Sequence, residues 1–257
     1  MDFDGIIACG DSYTLGPNCR GDDEAMHFDA DGGIIIGDRR DRHEPQNAWP
    51  VFLAKELNVP YVNLSRGGAS NTEISLQPLE TTSTFKKPLM IFGFTIDIRY
   101  PFFGRDGKIT SLNGMRDSDF ELEDKYRENQ VTLAKDYMQR FLLPTKGNGY
   151  TGMDNLFVES VKRAMNYEKI NTNATVIWGD IHSQYVYDEH RSPSLKKQFT
   201  NKTMSRCFNS VNDWLPLQEL STSEDHSFEI STTDCHPNKY GCKLYAEAIQ
   251  KFIASMS

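Results

Sequence analysis

Short apolar runs that suit buried strands alternate with helical patterns along the chain. The strand-like runs are rich in β-branched and aromatic residues and lie at residues 6–9, 61–64, 89–92 and 174–178. The helical patterns repeat apolar residues at intervals of three and four and lie at residues 48–57, from 71 onward, and at 153–167, 204–215 and 239–253. This alternation predicts an α/β fold in which helices cover both faces of a parallel sheet.

Two polar stretches interrupt the repeat of strand and helix. Residues 17–47 are rich in Gly and Asp, and their apolar run 32–36 suits one arm of a hairpin. Residues 100–150 contain Asp106-Gly107, which favours a turn. Because no Pro- or Ser-rich linker separates these stretches from the rest, we interpret residues 1–257 as one domain with rim insertions at 17–47 and 100–150.

Charge and cysteine content argue against several classes of function. The 28 Lys and Arg and 36 Asp and Glu give a formal charge of -8, and no basic block is long enough to track phosphates. A neutral or cationic small molecule therefore fits better as a partner than nucleic acid. The five cysteines are an odd number without a CxxC pair, which argues against a disulfide framework or a cysteine zinc site. Asp180, His182 and His190 match no zinc-site spacing, so we predict no metal.

The start of the chain and its hydropathy favour a soluble protein. The sequence opens with Met-Asp-Phe-Asp and lacks the basic region of a signal peptide. No segment approaches the roughly 20 apolar residues that cross a bilayer. We therefore expect a cytoplasmic or otherwise soluble protein with no membrane partner.

The tetrapeptide Cys-Gly-Asp-Ser at residues 9–12 begins at the last residue of the first predicted strand. Gly, Asp and Ser are common turn residues, so the tetrapeptide alone favours a structural turn. In a parallel α/β sheet, however, ligands bind where strands end and lead into helices, and Ser12 lies at such a place. A serine acts as a nucleophile only with a base within reach and with donors for the developing oxyanion.

A histidine near the C-terminus is the candidate base. His236 precedes Pro237, which favours an extended conformation at the histidine, and Asn238 is a suitable N-cap for the last helix. Asp234 lies two residues before the histidine and is a candidate to orient one ring nitrogen. The sequence therefore contains the residue types of a Ser-His-Asp triad at its two ends.

Taken together, these motifs resemble those of the SGNH/GDSL hydrolase family. Gly10-Asp11-Ser12 resembles the serine block, Asn63–Gly68 resembles the second block Asn-x-Gly-x-x-Gly, and His236-Pro237 resembles the last block. Trp49-Pro50 resembles the phrase that follows the serine block in the family. The matches occur in order and span Gly10–Gly241. The resemblance implies a flavodoxin-like three-layer sandwich of SGNH-hydrolase type, with a central parallel sheet and loop insertions.

The resemblance also implies a serine hydrolase that needs no cofactor and no metal. Its catalytic residues are Ser12, His236 and Asp234. Gly68 matches the glycine whose backbone N–H donates to the oxyanion, and Thr95 stands where the family has a donating asparagine. We count Asp11 among the oxyanion and substrate-binding residues. We expect its carboxylate to accept hydrogen bonds from nearby backbone N–H groups and so to shape the serine turn.

Two departures from the family pattern bear on catalysis. The third family block is Gly-x-Asn, whereas this chain has Gly93-Phe94-Thr95, and a threonine hydroxyl is a shorter donor that can rotate away. Loss of one oxyanion donor costs on the order of 100- to 1,000-fold in turnover. The family aspartate lies three residues before the histidine, where this chain has Thr233. Either Asp234 orients His236, or the site is a Ser-His dyad with a backbone carbonyl in that role.

The favoured interpretation is an esterase that hydrolyses a small ester through an acyl-enzyme on Ser12. The resemblance implies a carbohydrate O-acetyl group as one such ester. An O-acyltransferase would use the same residues, so both reactions remain open. The changes at Thr95 and Thr233 also favour a further alternative, a binding or structural module of the same fold with weakened catalysis.

Overall fold

A parallel sheet of four strands forms the centre of the described structure. The computed structural model describes residues 2–16, 48–81, 85–95, 99–103, 109–113, 152–181, 197–208, 229–231, 234–237 and 239–256. The strands in chain order are β1 (Gly5–Gly10), β2 (Tyr61–Asn63), β3 (Pro88–Phe94), β4 (Arg99–Phe103), β5 (Ile109–Asn113), β6 (Thr175–Asp180), β7 (Glu229–Ser231) and β8 (Asp234–Pro237). The sheet has the order β2-β1-β3-β6. In such a doubly wound sheet, ligands bind at the carboxyl ends of β1 and β3, where the strand order reverses.

Helices cover both faces of this sheet. In chain order they are α1 (Ser12–Leu15), α2 (Trp49–Leu57), α3 (Asn71–Leu76), α4 (Gly152–Met165), α5 (Tyr167–Ile170), α6 (Asn201–Met204) and α7 (Lys239–Ser255), with a 3₁₀ turn (Gln77–Glu80) after α3. The helices α2 and α7 pack together on one face, and α3 and α4 pack together on the other. The predicted three-layer α/β arrangement is therefore confirmed. Among the described helices, none combines the length and apolar character needed to cross a membrane.

Successive residues of the central strands are buried on opposite faces. In β1, Ile6 and Ala8 belong to the apolar cluster beneath α2 and α7, whereas Ile7 and Cys9 belong to the cluster beneath α3 and α4. All residues of β1 and β3 are buried, which explains why these strands are continuous apolar runs in the sequence. Full burial of one Ile or Phe side chain contributes about 1.5–3 kcal/mol, so the two clusters fix the positions of the strand ends.

Three glycines lie side by side near the carboxyl ends of β1, β3 and β6. Gly10 is opposite Gly93, and Gly93 is opposite Gly179, in the parallel register. A Cβ atom on Gly10 would lie 2.1 Å from Thr14 Oγ1, and one on Gly93 would lie 2.4 Å from Ile181 Cδ1. Because these side chains are absent, the short helix α1 can pack directly on the end of the sheet.

Gly10→Ala is expected to lower the free energy of unfolding by about 1–3 kcal/mol, the usual cost of an added methyl group in a filled site. The new carbon would overlap Oγ1 and Cβ of Thr14, at 2.1 and 2.4 Å, so α1 would have to move. Gly67→Ala is the matched control, because no atom lies within 4 Å of its added Cβ. Urea denaturation measures both variants. Equal midpoints would contradict the close packing of α1 on the sheet.

The strands and helices predicted from the alternating pattern are confirmed, except for the helix predicted at 204–215. In the described part of that range, α6 ends at Met204 and Cys207 forms a parallel bridge to Trp178. The N–H of Trp178 donates to the carbonyl of Arg206 at 3.0 Å. The helical prediction is therefore wrong at 205–207, because the backbone there pairs with the edge of the sheet, whereas Phe208 is in a 3₁₀ conformation. The predicted range from 209 onward lies outside the described residues.

The insertion predicted at 100–150 is described only at its start. The strands β4 and β5 pair antiparallel, from Arg99 opposite Asn113 to Phe103 opposite Ile109. The chain therefore reverses between Phe103 and Ile109, and the turn predicted at Asp106-Gly107 lies outside the described residues. This hairpin lies against α3. The whole of 17–47, with its predicted hairpin arm, also lies outside the described part of the chain.

Candidate active site

Ser12 is the first residue of α1 and comes two residues after the end of β1. Asp11 is the N-cap of this helix, and its Oδ1 accepts a hydrogen bond from the N–H of Tyr13 at 2.9 Å. Gly16 ends the helix in a left-handed conformation, with φ of 68°, and its N–H donates to the carbonyl of Ser12. The prediction that Asp11 bonds a nearby backbone N–H is therefore confirmed. The tight turn holds Ser12, which is 8% exposed, at the carboxyl edge of the sheet.

The hydroxyl of Thr95 donates to Asp11 Oδ2 at 2.6 Å. Thr95 directly follows β3, the neighbour of β1 in the sheet, and both residues are fully buried. Both carboxylate oxygens of Asp11 therefore accept hydrogen bonds from the protein, and these bonds hold the serine turn. The single hydroxyl proton of Thr95 is likewise directed at Asp11 and is not available to a substrate oxyanion in this arrangement.

The loop after β2 carries the predicted oxyanion glycine and runs beside the serine turn. The N–H of Leu64 donates to the carbonyl of Ala8 at 2.8 Å, and that of Arg66 donates to the carbonyl of Gly10 at 3.1 Å. These bonds continue the parallel pairing beyond the end of β2. Gly68 follows in an exposed turn with φ of 76°. The backbone N–H of Gly68 is thereby brought to the same edge of the sheet as Ser12.

Side chains also fix this loop. The guanidinium of Arg66 forms ion pairs with Glu73 of α3, at 3.4 Å, and with Glu80 of the 3₁₀ turn. The side chain of Asn63 donates to the carbonyl of Thr14 at 3.2 Å and accepts from the N–H of Ser65. Asn63 therefore stabilises this loop, because its side chain connects the end of α1 to the loop that carries Gly68.

Gly68→Ala is expected to lower the free energy of unfolding by about 1–2 kcal/mol, the cost of a left-handed conformation for a residue with a Cβ. The methyl group itself has room, because no atom lies within 4 Å of its position. The exposed neighbour Gly67 has the same open surroundings without the positive φ, so Gly67→Ala provides the matched control. Thermal unfolding monitored by circular dichroism measures the difference. If Gly68→Ala is as stable as Gly67→Ala, the left-handed turn is not required.

The strand β8 contains the predicted base, and its backbone lies beside the serine turn. Some Cα atoms of β8, which includes Asp234 and His236, lie within 8 Å of Cα atoms of α1. The fold thus brings the backbone of His236 close to the helix that begins with Ser12. The described structure gives the backbone at Asp234 and His236, and the positions of their side chains lie outside it.

The pairing of β7 with β8 contains one extra residue at the histidine. Glu229 is opposite Pro237 and Ser231 is opposite Asp234, so Cys235 and His236 together oppose Ile230. A β-bulge of this kind interrupts the simple alternation of faces along a strand. The two-residue spacing between Asp234 and His236 therefore does not by itself place them on one face, and the orienting role of Asp234 stays a prediction.

Two buried groups near the serine turn are held in their neutral forms. Burial raises the pKa of the Cys9 thiol well above its ordinary value, so Cys9 stays protonated at neutral pH and is a poor nucleophile. Burial also raises the pKa of Tyr245 well above its ordinary value, and the nearby Tyr13 adds to the effect. The Tyr245 hydroxyl donates to the carbonyl of Ile181 at 3.3 Å and thereby connects α7 to the end of β6.

The sequence analysis did not identify two amide side chains that contact this edge of the sheet. Asn71 of α3 pairs with the backbone of Thr95, and Gln77 of the 3₁₀ turn pairs with the backbone of Gly10. The available signal was the position of Asn71 three residues after Gly68, at the start of the predicted helix. His182, noted after the fourth strand, lies outside the described residues.

Comparisons with solved structures find esterases similar to this chain. The psychrotrophic esterase EstA of Pseudoalteromonas sp. is 14% identical with a TM-score of 0.46, and the match covers 98% of both chains. A protein of Parabacteroides merdae described as a GDSL-like lipase is 13% identical with a TM-score of 0.44, over 96% of this chain and 94% of that one. The acetyl xylan esterase Est2A of Butyrivibrio proteoclasticus is 14% identical with a TM-score of 0.46, over 98% of this chain and 63% of that one.

This chain thus spans less than two thirds of the length of Est2A. No family model and no curated protein sequence matches it. At these identities and TM-scores, the similarity does not assign an activity to this chain. The fold assignment rests on the strand order and the helical layers described above.

Proposed function

We propose that this protein is a serine esterase of SGNH type that hydrolyses a small ester. The observation that carries the proposal is the convergence of three family motifs at one edge of the sheet. Ser12 lies in the turn after β1, the Gly68 loop is hydrogen-bonded to Gly10, and the backbone of β8, with His236, lies beside α1. Ser12 and His236 are more than 200 residues apart in sequence, so the fold and not the local sequence brings these elements close together.

In the proposed mechanism, Ser12 Oγ attacks the acyl carbon while His236 accepts the hydroxyl proton. The negative oxygen of the tetrahedral intermediate accepts hydrogen bonds from the backbone N–H groups of Ser12 and Gly68. Collapse of the intermediate breaks the ester bond, and His236 returns the proton to the leaving alcohol. Water then attacks the acyl-enzyme by the same route, which releases the acid and regenerates Ser12. Asp234 orients His236 in this scheme.

The substrate class follows from the resemblance of the motifs. The family includes carbohydrate deacetylases, and an O-acetyl group on a sugar is small enough to reach a serine that is 8% exposed. We therefore propose acetylated carbohydrates as the first substrates to examine. Acetate release from acetylated xylose, compared with p-nitrophenyl acetate and with p-nitrophenyl octanoate, tests this preference. Faster hydrolysis of the octanoate than of both acetates would contradict it.

Labelling by a fluorophosphonate probe tests the serine mechanism directly. We expect one adduct by intact-mass measurement, mapped to the peptide that contains Ser12, and no adduct in His236→Ala. Ser65→Ala is the matched control, because its buried hydroxyl has no hydrogen-bond partner among the described residues and takes no part in the mechanism. Labelling at any other serine, or the absence of labelling in a folded wild type, would contradict the proposal.

One observation favours a second candidate function, a binding module with weakened catalysis. The hydroxyl of Thr95 is bonded to Asp11, so Thr95 does not supply the third oxyanion donor that the family has. Under this alternative, isothermal titration calorimetry detects binding of an acetylated sugar while turnover and labelling are both absent. Under the esterase proposal, both are present and both depend on Ser12.

A further inference from the structure

A continuous series of buried hydrogen bonds connects α3 with the serine turn. Asn71 Oδ1 accepts from the N–H of Thr95 at 2.8 Å, and Asn71 Nδ2 donates to the carbonyl of Thr95 at 3.0 Å. The Thr95 hydroxyl donates to Asp11, and Asp11 in turn accepts from the N–H of Tyr13. Asn71 is 6% exposed, and Thr95 and Asp11 are fully buried. The series therefore runs through the interior and ends at the residue after Ser12.

A second contact joins the same helical segment to the residue before the turn. Gln77 Oε1 accepts from the N–H of Gly10 at 2.8 Å, and Gln77 Nε2 donates to the carbonyl of Gly10 at 2.9 Å. Each amide thus pairs with both polar groups of one backbone residue. A two-point pairing fixes orientation as well as distance, because rotation of the amide would break one of its two bonds.

The helical segment that carries these amides is itself anchored on both sides. Arg163 of α4 donates to Ser75 Oγ at 2.9 Å, and the hydroxyl of Tyr167 donates to the carbonyl of Ser75 at 3.3 Å. At the other end, Ser70 lies two residues after Gly68 and caps α3 by accepting a hydrogen bond from the N–H of Glu73. The segment therefore connects the Gly68 loop rigidly with the ends of β1 and β3.

From this geometry we infer that Thr95 is a positioning residue for the nucleophile, acting through Asp11, and is not an oxyanion donor. Asn71 holds the backbone of Thr95, the Thr95 hydroxyl holds the Asp11 carboxylate, and Asp11 holds the first turn of α1 with Ser12 in it. The inference rests on the proposed esterase function for its effect on catalysis. Among the described residues, it assigns oxyanion binding to the backbone N–H groups of Ser12 and Gly68.

A double-mutant cycle separates the two roles of Thr95. Thr95→Val removes the hydroxyl at nearly constant shape, and Asp11→Asn keeps an acceptor for Tyr13 while replacing the oxygen that accepts from Thr95. We expect Thr95→Val to lower kcat for p-nitrophenyl acetate by about 10- to 100-fold with little change in KM, since a nucleophile displaced by 1 Å costs about 100-fold. Thr95→Ser retains the hydroxyl, so its kcat is expected to stay within about threefold of wild type, a much smaller change than the loss expected for Thr95→Val.

The outcome in the Asp11→Asn background decides between the roles. If Thr95 acts through Asp11, Thr95→Val changes kcat by less than about threefold in that background, because the contact it removes is already altered. If Thr95 donates to the oxyanion, the same substitution lowers kcat by an equal factor in both backgrounds, and the inference is overturned. Circular dichroism and thermal unfolding establish that each variant is folded before its kinetics are compared.

A second measurement does not depend on activity. The backbone N–H of Tyr13, which donates to Asp11, reports on this contact through its hydrogen-exchange rate measured by NMR. We expect this rate to be at least tenfold faster in Thr95→Val, because the N-cap of α1 opens more often when Asp11 loses the Thr95 hydroxyl. The N–H of Leu64, which is bonded to Ala8, is the control and is expected to keep its rate. Unchanged exchange at Tyr13 overturns the inference. Faster exchange in a protein without esterase activity supports the Thr95–Asp11 connection while contradicting the proposed function.

Discussion

Ser12→Ala is expected to lower turnover of p-nitrophenyl acetate by on the order of 10⁶-fold. The reason is that the proposed reaction proceeds through a covalent bond to Ser12 Oγ, and no other described nucleophile is in a position to replace it. The neighbouring thiol of Cys9 is fully buried and its pKa is raised, so it stays protonated at neutral pH. Stopped-flow or plate absorbance of released p-nitrophenol measures the loss.

The control for this substitution is a serine in the adjacent loop. Ser65→Ala removes a buried hydroxyl without a hydrogen-bond partner among the described residues, and we expect full turnover. Ser12→Ala is expected to keep the wild-type unfolding temperature, because α1 is capped by Asp11 and Gly16 and not by the side chain of Ser12. Turnover that survives Ser12→Ala in a homogeneous preparation would rule out the serine mechanism.

Asp234→Asn is expected to lower kcat by on the order of 10⁴-fold. An aspartate beside a catalytic histidine fixes the ring in the productive tautomer and stabilises the imidazolium, whereas the asparagine amide favours the wrong tautomer. The substitution keeps the size of the side chain, so the β7–β8 pairing at Asp234 is expected to persist. Steady-state kinetics on the same acetate ester measure the change.

The control for Asp234 is Thr233, which occupies the position of the aspartate in the family pattern. We expect Thr233→Ala to change kcat by less than about threefold, far below the loss expected at Asp234. Equal kcat for Asp234→Asn and wild type would show that a backbone carbonyl orients His236, which is the dyad alternative. A large loss in Thr233→Ala alone would assign the orienting role to the family position after all.

The three adjacent glycines Gly10, Gly93 and Gly179, together with the hydrogen bond from Thr95 to Asp11, explain how the short helix α1 can hold a nucleophile. Thr14 packs over Gly10 and Gly93, which keeps α1 flat against the sheet. The carboxylate of Asp11 then closes the turn and receives the hydroxyl of Thr95 from the neighbouring strand. The turn is thus supported from β1, from β3 and, through Asn63, from the loop after β2.

Local patterns in the sequence were sufficient to predict the alternation of strands and helices. The burial of β1 and β3 on both faces requires uninterrupted apolar residues, and that requirement is visible without coordinates. The final helix and the helix at Trp49–Leu57 likewise show an apolar stripe with the period of an α-helix. The prediction failed at 205–207, because pairing of Cys207 with Trp178 depends on an edge strand that is distant in sequence.

The sequence by itself determined the chemical types at the candidate site, because Ser12, Gly68 and His236 lie in short motifs with local conformational requirements. Only the tertiary structure decided which of their neighbours touch one another. Thr95 and Asp11 are 84 residues apart, and Gln77 and Gly10 are 67 apart, so no local pattern indicates that they are hydrogen-bonded. A buried donor or acceptor has to find a partner wherever the fold provides one, and the parallel order β2-β1-β3 provides these. The same physical requirement pairs the hydroxyl of Thr95 with Asp11.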